Sequence, residues 1–381
     1  MMPIIVLFYQ DEGMSMADVL LLQAVFSVVI VLLEVPSGWV ADVIGRRFSL
    51  LTGSTLGTAG FALYAASDGF WGFLVAELVL GVGASLVSGA DSAMLYDSLV
   101  AIGGEDGYRR AEGKMISVGN FSEATAAVIG GLLATVSLRL PIIAEAAVMA
   151  LSIPCCLLLV EPPRTAPESA GVTDARALLR VVRFAVWESA PLRSVLALSA
   201  VMGSSTLTVV WFVQPWLEAA GLPLSAFGVV WAALNATVGL AALKSDATLA
   251  RLGEMRTWSL LLALVSLGYV AMAIDANLLL LPAMLVFYVA RGIGRPSYVD
   301  TINRLTSSDR RATVLSLGTL GTRLIFALIG PPIGWLSDAH GMSAALLAAG
   351  GVHGLLGLLA LRSVFAARGG SSLHRNGDSR Q

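Results

Sequence analysis

From residue 38 to residue 47 the chain reads Gly38-Trp39-Val40-Ala41-Asp42-Val43-Ile44-Gly45-Arg46-Arg47, with an apolar run before it (16–40) and another after it (48–67). Each run is long enough to cross a bilayer as a helix, which takes about 20 mostly apolar residues. Only a short connection is left between them, and its two arginines hold it on one face of the membrane. The glycines at 38 and 45 permit close packing and a tight turn.

The same pattern continues along the chain. Of 381 residues, 56% are hydrophobic and 13% charged, against roughly 25% charged in soluble domains. That composition cannot cover a globular surface with polar groups, so a soluble domain and a disordered chain are both excluded. Cys155 and Cys156 are adjacent within an apolar run, and His340, His353 and His374 are scattered, so neither a disulfide framework nor a metal site is expected. The pattern predicts spans at 16–40, 48–67, 70–97, 114–137, 139–160, 191–216, 223–245, 256–274, 277–296, 311–336 and 342–365. An apolar fragment, Met1 to Gln10, precedes them and is too short to cross.

Lys and Arg set the orientation. Of 24 such residues, 22 fall in connections on one side, Arg291 and Arg295 counted among them; Arg139 alone lies opposite, and Arg323 lies inside a helix. The crowded side, with the C-terminus and the long central loop, is expected in the cytoplasm. The domain reading is an N-terminal helical bundle at 1–160 and a cytoplasmic linker at 161–190. A C-terminal bundle at 191–368 and a disordered cytoplasmic tail at 369–381 complete it. Within the linker, 173–189 has Arg176, Arg180 and Arg183 at helical spacing, with Leu178, Leu179, Val182 and Val186 largely on other faces. It reads as an amphipathic helix on the inner leaflet or a solvated linker helix.

The two bundles look like repeats. Tyr108-Arg109-Arg110-Ala111 parallels Asp309-Arg310-Arg311-Ala312, 201 residues later, and Tyr96-Asp97-Ser98 parallels Tyr298-Val299-Asp300-Thr301. Aligning Phe8-Tyr9-Gln10 with Phe212-Val213-Gln214 leaves the first helix short by about 14 residues on the repeat argument, so a truncated first helix is expected.

The stretch at 38–47 resembles the Gly-x-x-x-Asp-x-x-Gly-Arg-Arg/Lys loop of the major facilitator superfamily, between its second and third helices. With the basic central loop and the half-repeat, the chain resembles that family, of a bacterial drug-efflux-like type, from Met1 to about Arg368. The resemblance implies an all-α membrane fold of two parallel six-helix bundles, with a mid-membrane substrate site and alternating access. It also implies a cytoplasmic gate built from Gly38, Asp42, Gly45, Arg46 and Arg47, with Asp97 as the acid paired to an arginine and Asp42 facing the N-terminus of the eleventh helix. The corresponding stretch of the second half, Leu249 to Gly253, has alanine opposite Asp42, which predicts a one-sided latch.

Ionisable groups at membrane depth are functional candidates. Glu77 is the foremost, since a carboxyl there can exchange a proton or hold a cation; the alternative is that it lies near enough to the outer surface to be hydrated. Asp91, fourteen residues on, would share its face of a continuous helix. Glu34 and Arg323 are expected to form a pair between the second and eleventh helices that breaks during rocking; the alternatives are a static buried pair, or Arg323 bonding backbone carbonyls loosened by Pro331 and Pro332. Glu77, Asp91, Glu34 and Arg323 are thus the proton-coupling candidates. The family's central helices nominate Tyr9, Gln10, Trp211, Gln214, Tyr288 and Arg291 as cavity lining, with interfacial or core roles as the alternative. His353 has no obvious partner.

The functional expectation is a secondary transporter, not an enzyme. It would be monomeric and proton-coupled, exporting small amphipathic molecules without cofactor, metal or nucleic acid. Import of a small metabolite, or a non-transporting sensor or scaffold, is the alternative. The Gly-Pro pair that drug exporters of this family carry in the fifth helix is missing: 118–134 holds Gly130-Gly131 and no proline.

Overall fold

The structure is a computed structural model describing residues 2–162, 175–307 and 310–377. Those residues form helices joined by turns and short connections, with no strand among them, as expected where lipid offers no partner to an open backbone group. Ten of the helices are long and apolar enough to cross a membrane, so the chain is an integral, multi-pass membrane protein.

The chain divides into two compact units, 1–171 with 222–232, and 172–221 with 233–381. The first contains α1 (Ile5–Asp11), α2 (Met16–Val43), α3 (Arg46–Ala66), α4 (Gly69–Val87), α5 (Ala90–Ala101), α6 (Tyr108–Ala134) and α7 (Leu140–Leu158). α1 is seven residues long, with Ile5 to Tyr9 buried. α2 begins in a capping box, in which Ser15 and Asp18 satisfy each other's backbone N–H groups. α3 is rich in Gly, Ser and Thr and packs between α4 and α7. At Gly53 a Cβ would lie 2.8 Å from the Gly83 carbonyl oxygen. Glycine there lets the two backbones approach as a side chain would not.

The second unit contains α8 (Ala175–Arg183), α9 (Ala190–Ala219), most of α10 (Leu224–Leu243), α11 (Ser245–Leu252) and α12 (Glu254–Ile274). It is completed by α13 (Pro282–Arg304), α14 (Arg311–His340) and α15 (Met342–Gly377). α9 is the enclosed helix, packed by α13, α14 and α15. Trp216 on it donates from Nε1 to the Met272 carbonyl at 3.0 Å.

Several expectations change. The predicted span 70–97 is interrupted: α4 ends at Val87, and Gly89, at φ 77°, turns the chain into α5. The ninth span, predicted to end at 296, continues to Arg304 with Pro296 inside it, so Arg291 and Arg295 are helix residues rather than loop cations. α15 runs to Gly377, well past 368, where a disordered tail was expected; 378–381 lie outside the described residues. In the linker, 163–174 and the Leu178 side chain also lie outside them. Its helix buries Val181 and Ala185, which the face assignment omitted, while Leu179 and Trp187 are exposed. Arg310 lies over the Phe184 ring at 5.2 Å.

Candidate functional site

In the first unit, four helices bring one polar side chain each to a common point. The Tyr9 hydroxyl, from α1, donates to Glu77 Oε1 of α4 at 3.2 Å. Gln23 of α2 donates its amide to the same oxygen. Tyr64 of α3 shares a hydrogen bond with the Tyr9 hydroxyl at 2.6 Å. Phe73 stacks on Tyr64 with centroids 5.3 Å apart and packs against Phe8 and Tyr9, sealing the group from one side. Glu77 is 5% exposed, and no cation among the described residues pairs with it. An ionised carboxylate so buried, with neutral donors only, is expensive. The group is held there as the acid, or as a carboxylate while a cation accompanies it. Glu77 is therefore not hydrated at the membrane surface.

Arg139, given no role by the sequence, organises one end of this cluster. It bonds to Glu12, to Asp68 at 2.6 Å and to the Ala65 carbonyl at 3.0 Å, and stands over the Phe8 ring at 5.6 Å. One guanidinium thus ties the end of α1 to the α3–α4 turn. Glu12 and then Asp68 raise its pKa above the ordinary arginine range.

At the other end, Arg46 Nη1 lies 2.8 Å from Asp42 and its Nε 2.9 Å from Asp97. Arg46 opens α3, where a positive charge opposes the helix dipole. The Glu161 carboxylate answers that by accepting from the backbone N–H groups of both Arg46 and Arg47, each at 2.8 Å. The Arg47 guanidinium donates to the Cys156 and Leu157 carbonyls at the end of α7. Gly45 has φ 143°, and a Cβ on it would stand 3.1 Å from Glu161. Gly38, by contrast, has open space around its Cα and needs no small residue for packing.

The second unit repeats this arrangement with the signs exchanged. Glu254 opens α12 behind Gly253 (φ 75°) and pairs with Arg304 at the end of α13 and Arg368 on α15. Arg304 also meets Asp300 at 3.0 Å, and Arg368 lies over Trp258 at 5.2 Å. A one-sided cluster was expected because residue identities were compared, and identity is blind to a reversal of charge.

The remaining candidates separate. Asp91 is exposed beyond the break at Gly89 and does not share the Glu77 environment. Glu34 and Arg323 are half-buried, one in each unit. Gln10 is half-buried at the end of α1. Trp211, Gln214 and Tyr288 are buried inside the second unit. His353 has partners after all: its Nδ1 donates to the Ala349 carbonyl at 2.8 Å, leaving Nε2 to accept from Ser204 at 3.2 Å.

A cleft of about 580 Å³ opens in the second unit between α9, α13 and α14. Arg291 and Arg323 line it, as do Arg295, Tyr298, Thr206 and Thr322, which the sequence reading did not nominate. The signal was present in the 291, 295, 298, 302 spacing of one helical face, hidden by ending the span at Pro296.

Among known proteins, the chain is 25% identical over 310 residues to the class G tetracycline resistance protein of Vibrio anguillarum, covering 78% of this chain and 74% of that one. Its fold is similar to that of the nucleoside transporter NupG (TM-score 0.74, 15% identity, 94% and 93% of the two chains). It is also similar to the peptide transporter POT in complex with sulfate (TM-score 0.71, 15% identity, 96% and 91%). A bacterial homolog of the human lysosomal transporter Spinster gives a TM-score of 0.70 at 16% identity, over 96% and 92%. Residues 1–328 match the Major Facilitator Superfamily, and with this architecture the chain belongs to that family of transporters.

Proposed function

We propose that this protein is a proton-coupled exporter of small amphipathic molecules, with Glu77 as the proton-carrying group. The observation that carries the reading is the buried Glu77 carboxyl, approached by Tyr9 and Gln23 and by no cation among the described residues. A carboxyl in that setting changes charge only when a path to water opens, which is what coupling to alternating access requires. The tetracycline-resistance relative supports export. Lys and Arg still crowd one end once Arg291 and Arg295 are placed in the membrane, which supports a cytoplasmic C-terminus. The Arg46 cluster would hold the cytoplasmic ends of α3, α5 and α7 together in one state and release them in the other. A monomer suffices, since each unit has its own core.

The test uses inside-out vesicles with an imposed pH gradient and tetracycline as probe. Tetracycline uptake that collapses with the gradient, and that Glu77→Gln abolishes, supports the reading. Gradient-driven uptake that Glu77→Gln leaves intact removes Glu77 from coupling, and uptake in the opposite sense overturns export.

A further inference from the structure

Three arginines line one cleft: Arg291 and Arg295, one turn apart on α13, and Arg323 on α14. Arg291 is nine residues and Arg323 twelve residues into their helices, or roughly 14 and 18 Å at 1.5 Å per residue, so both sit deep in the membrane span. No Asp or Glu lines the cleft with them. Among the described residues no carboxylate forms an ion pair with Arg291 or Arg295. Holding Arg291 and Arg295 at that depth is costly unless water or an anion enters. A second observation points the same way. Tyr298 lies on the same face as the two α13 arginines, is 3% exposed, and its hydroxyl has no hydrogen-bond partner. Thr319 also lines the cleft, as do Thr206 and Thr322, whose hydroxyls donate to the Gly203 and Gly318 carbonyls of their own helices. Met202, Leu207 and Val210 of α9 and Leu315 of α14 give the cleft apolar lining. Its volume falls in the usual range for small-molecule sites, about 300–1,000 Å³.

We infer that this cleft binds the acidic head of an amphipathic carboxylate or phosphate ester, the arginines holding the oxyanion and the apolar lining holding the body. This rests on the transport reading and names its substrate class. The guanidinium fork suits a planar carboxylate or a phosphate, while a cationic drug would be repelled. The anion on the arginines and the proton on Glu77 occupy different units, so each can be tested without the other.

The purified full-length protein in phosphatidylcholine nanodiscs would be titrated with four probes of one size: 1-naphthoate, 1-naphthyl phosphate, 1-naphthamide and 1-naphthylmethylammonium. The two anions should bind at least about tenfold more tightly than the amide and the ammonium ion, since hydrogen bonds to charged groups exceed neutral ones by that order. Arg291→Gln and Arg323→Gln should each weaken naphthoate about tenfold, with Arg291→Lys keeping part of the affinity. Equal binding of amide and acid, or an unchanged naphthoate affinity in the Gln variants, overturns the assignment. Phosphatidylglycerol added to the disc tests the other source of an oxyanion. If it occupies the cleft and naphthoate does not displace it, the cleft is a lipid site and the substrate assignment falls. Naphthoate binding without proton-linked flux upholds the cleft and sinks the coupling reading, whereas Glu77-dependent flux of amide and acid alike does the reverse.

Discussion

Arg46 and Glu254 hold the same place in the two units with opposite charge. Each is the first residue of a 21-residue helix behind a glycine of positive φ. Arg46 meets carboxylates from near the ends of α5 and α2, while Glu254 meets arginines from the end of α13 and from within α15. Only Glu254 agrees with the dipole of the helix it opens. Arg46 requires Glu161 to cap the helix in its stead.

That difference predicts unequal responses to removal. Glu161→Ala strips the acceptor from two backbone N–H groups and should cost about 1–2 kcal/mol, the usual value of an N-terminal cap. Glu161→Gln, which keeps one acceptor, should recover part of it. Thermal melting in detergent reads both, and equal melting of Ala and wild type would refute the capping role.

The exchange of sign in the second unit can be tested by a charge swap. Glu254→Arg places three arginines together and should destabilise the protein by about 2 kcal/mol or more, from an unpaired part-buried cluster. Adding Arg304→Glu should restore part of the loss. A double variant no better than the single one would show that Arg304 and Glu254 are not coupled in solution.

Gly45→Ala should cost about 1–3 kcal/mol, the cost of holding a side chain in so strained a backbone conformation, while Gly38→Ala should be neutral or slightly stabilising, as glycine is a poor helix residue. If the two substitutions prove equally harmful, the positive φ at Gly45 is not what keeps that glycine.

Arg139 offers a pH signature. Its pKa lies above the ordinary arginine range, so the stability it contributes is present below that range and is lost only as pH rises through it. The melting difference between wild type and Arg139→Ala should thus be the same at pH 7 and pH 10. Arg139→Lys, paired with the same Glu12 and Asp68, should resemble wild type at pH 7 and at pH 10, and fall toward the Ala variant only as pH rises well above the ordinary lysine value of about 10.4. A wild-type advantage that shrinks by pH 10 would contradict the pairing.

Around Glu77, Tyr9→Phe should leave the fold intact and slow proton-linked transport by about tenfold, the loss of one hydrogen bond to a charged group. Tyr64→Phe should slow it by a similar factor, because the Tyr64 hydroxyl bonds to Tyr9 and also lies within hydrogen-bonding reach of the Glu77 carboxyl. A Tyr64→Phe variant that transports like wild type would show that only Tyr9 and Gln23 act on Glu77.

Ten of the eleven expected spans and the strong charge bias were legible in the sequence, because hydropathy and the placement of Lys and Arg are properties of each segment alone; the run 48–67, rich in Gly, Ser and Thr, is helical but is not among the ten helices apolar enough to cross. Glu77 stood out on the same basis, as a charge inside an apolar run. What surrounds it was not legible, since Tyr9, Gln23 and Tyr64 come from three other helices and only packing brings them to one oxygen. Arg139 was a lone cation in sequence and became a three-way tie when Glu12 and Asp68 met it. The cleft arginines were counted as loop charges because Pro296 looked like a helix end. Packed neighbours can satisfy the backbone that a proline leaves open, so the helix continued and carried Arg291 and Arg295 into the membrane with it. Local chemistry decides which segments enter the bilayer; which charges meet there is decided by contacts between residues far apart in the chain.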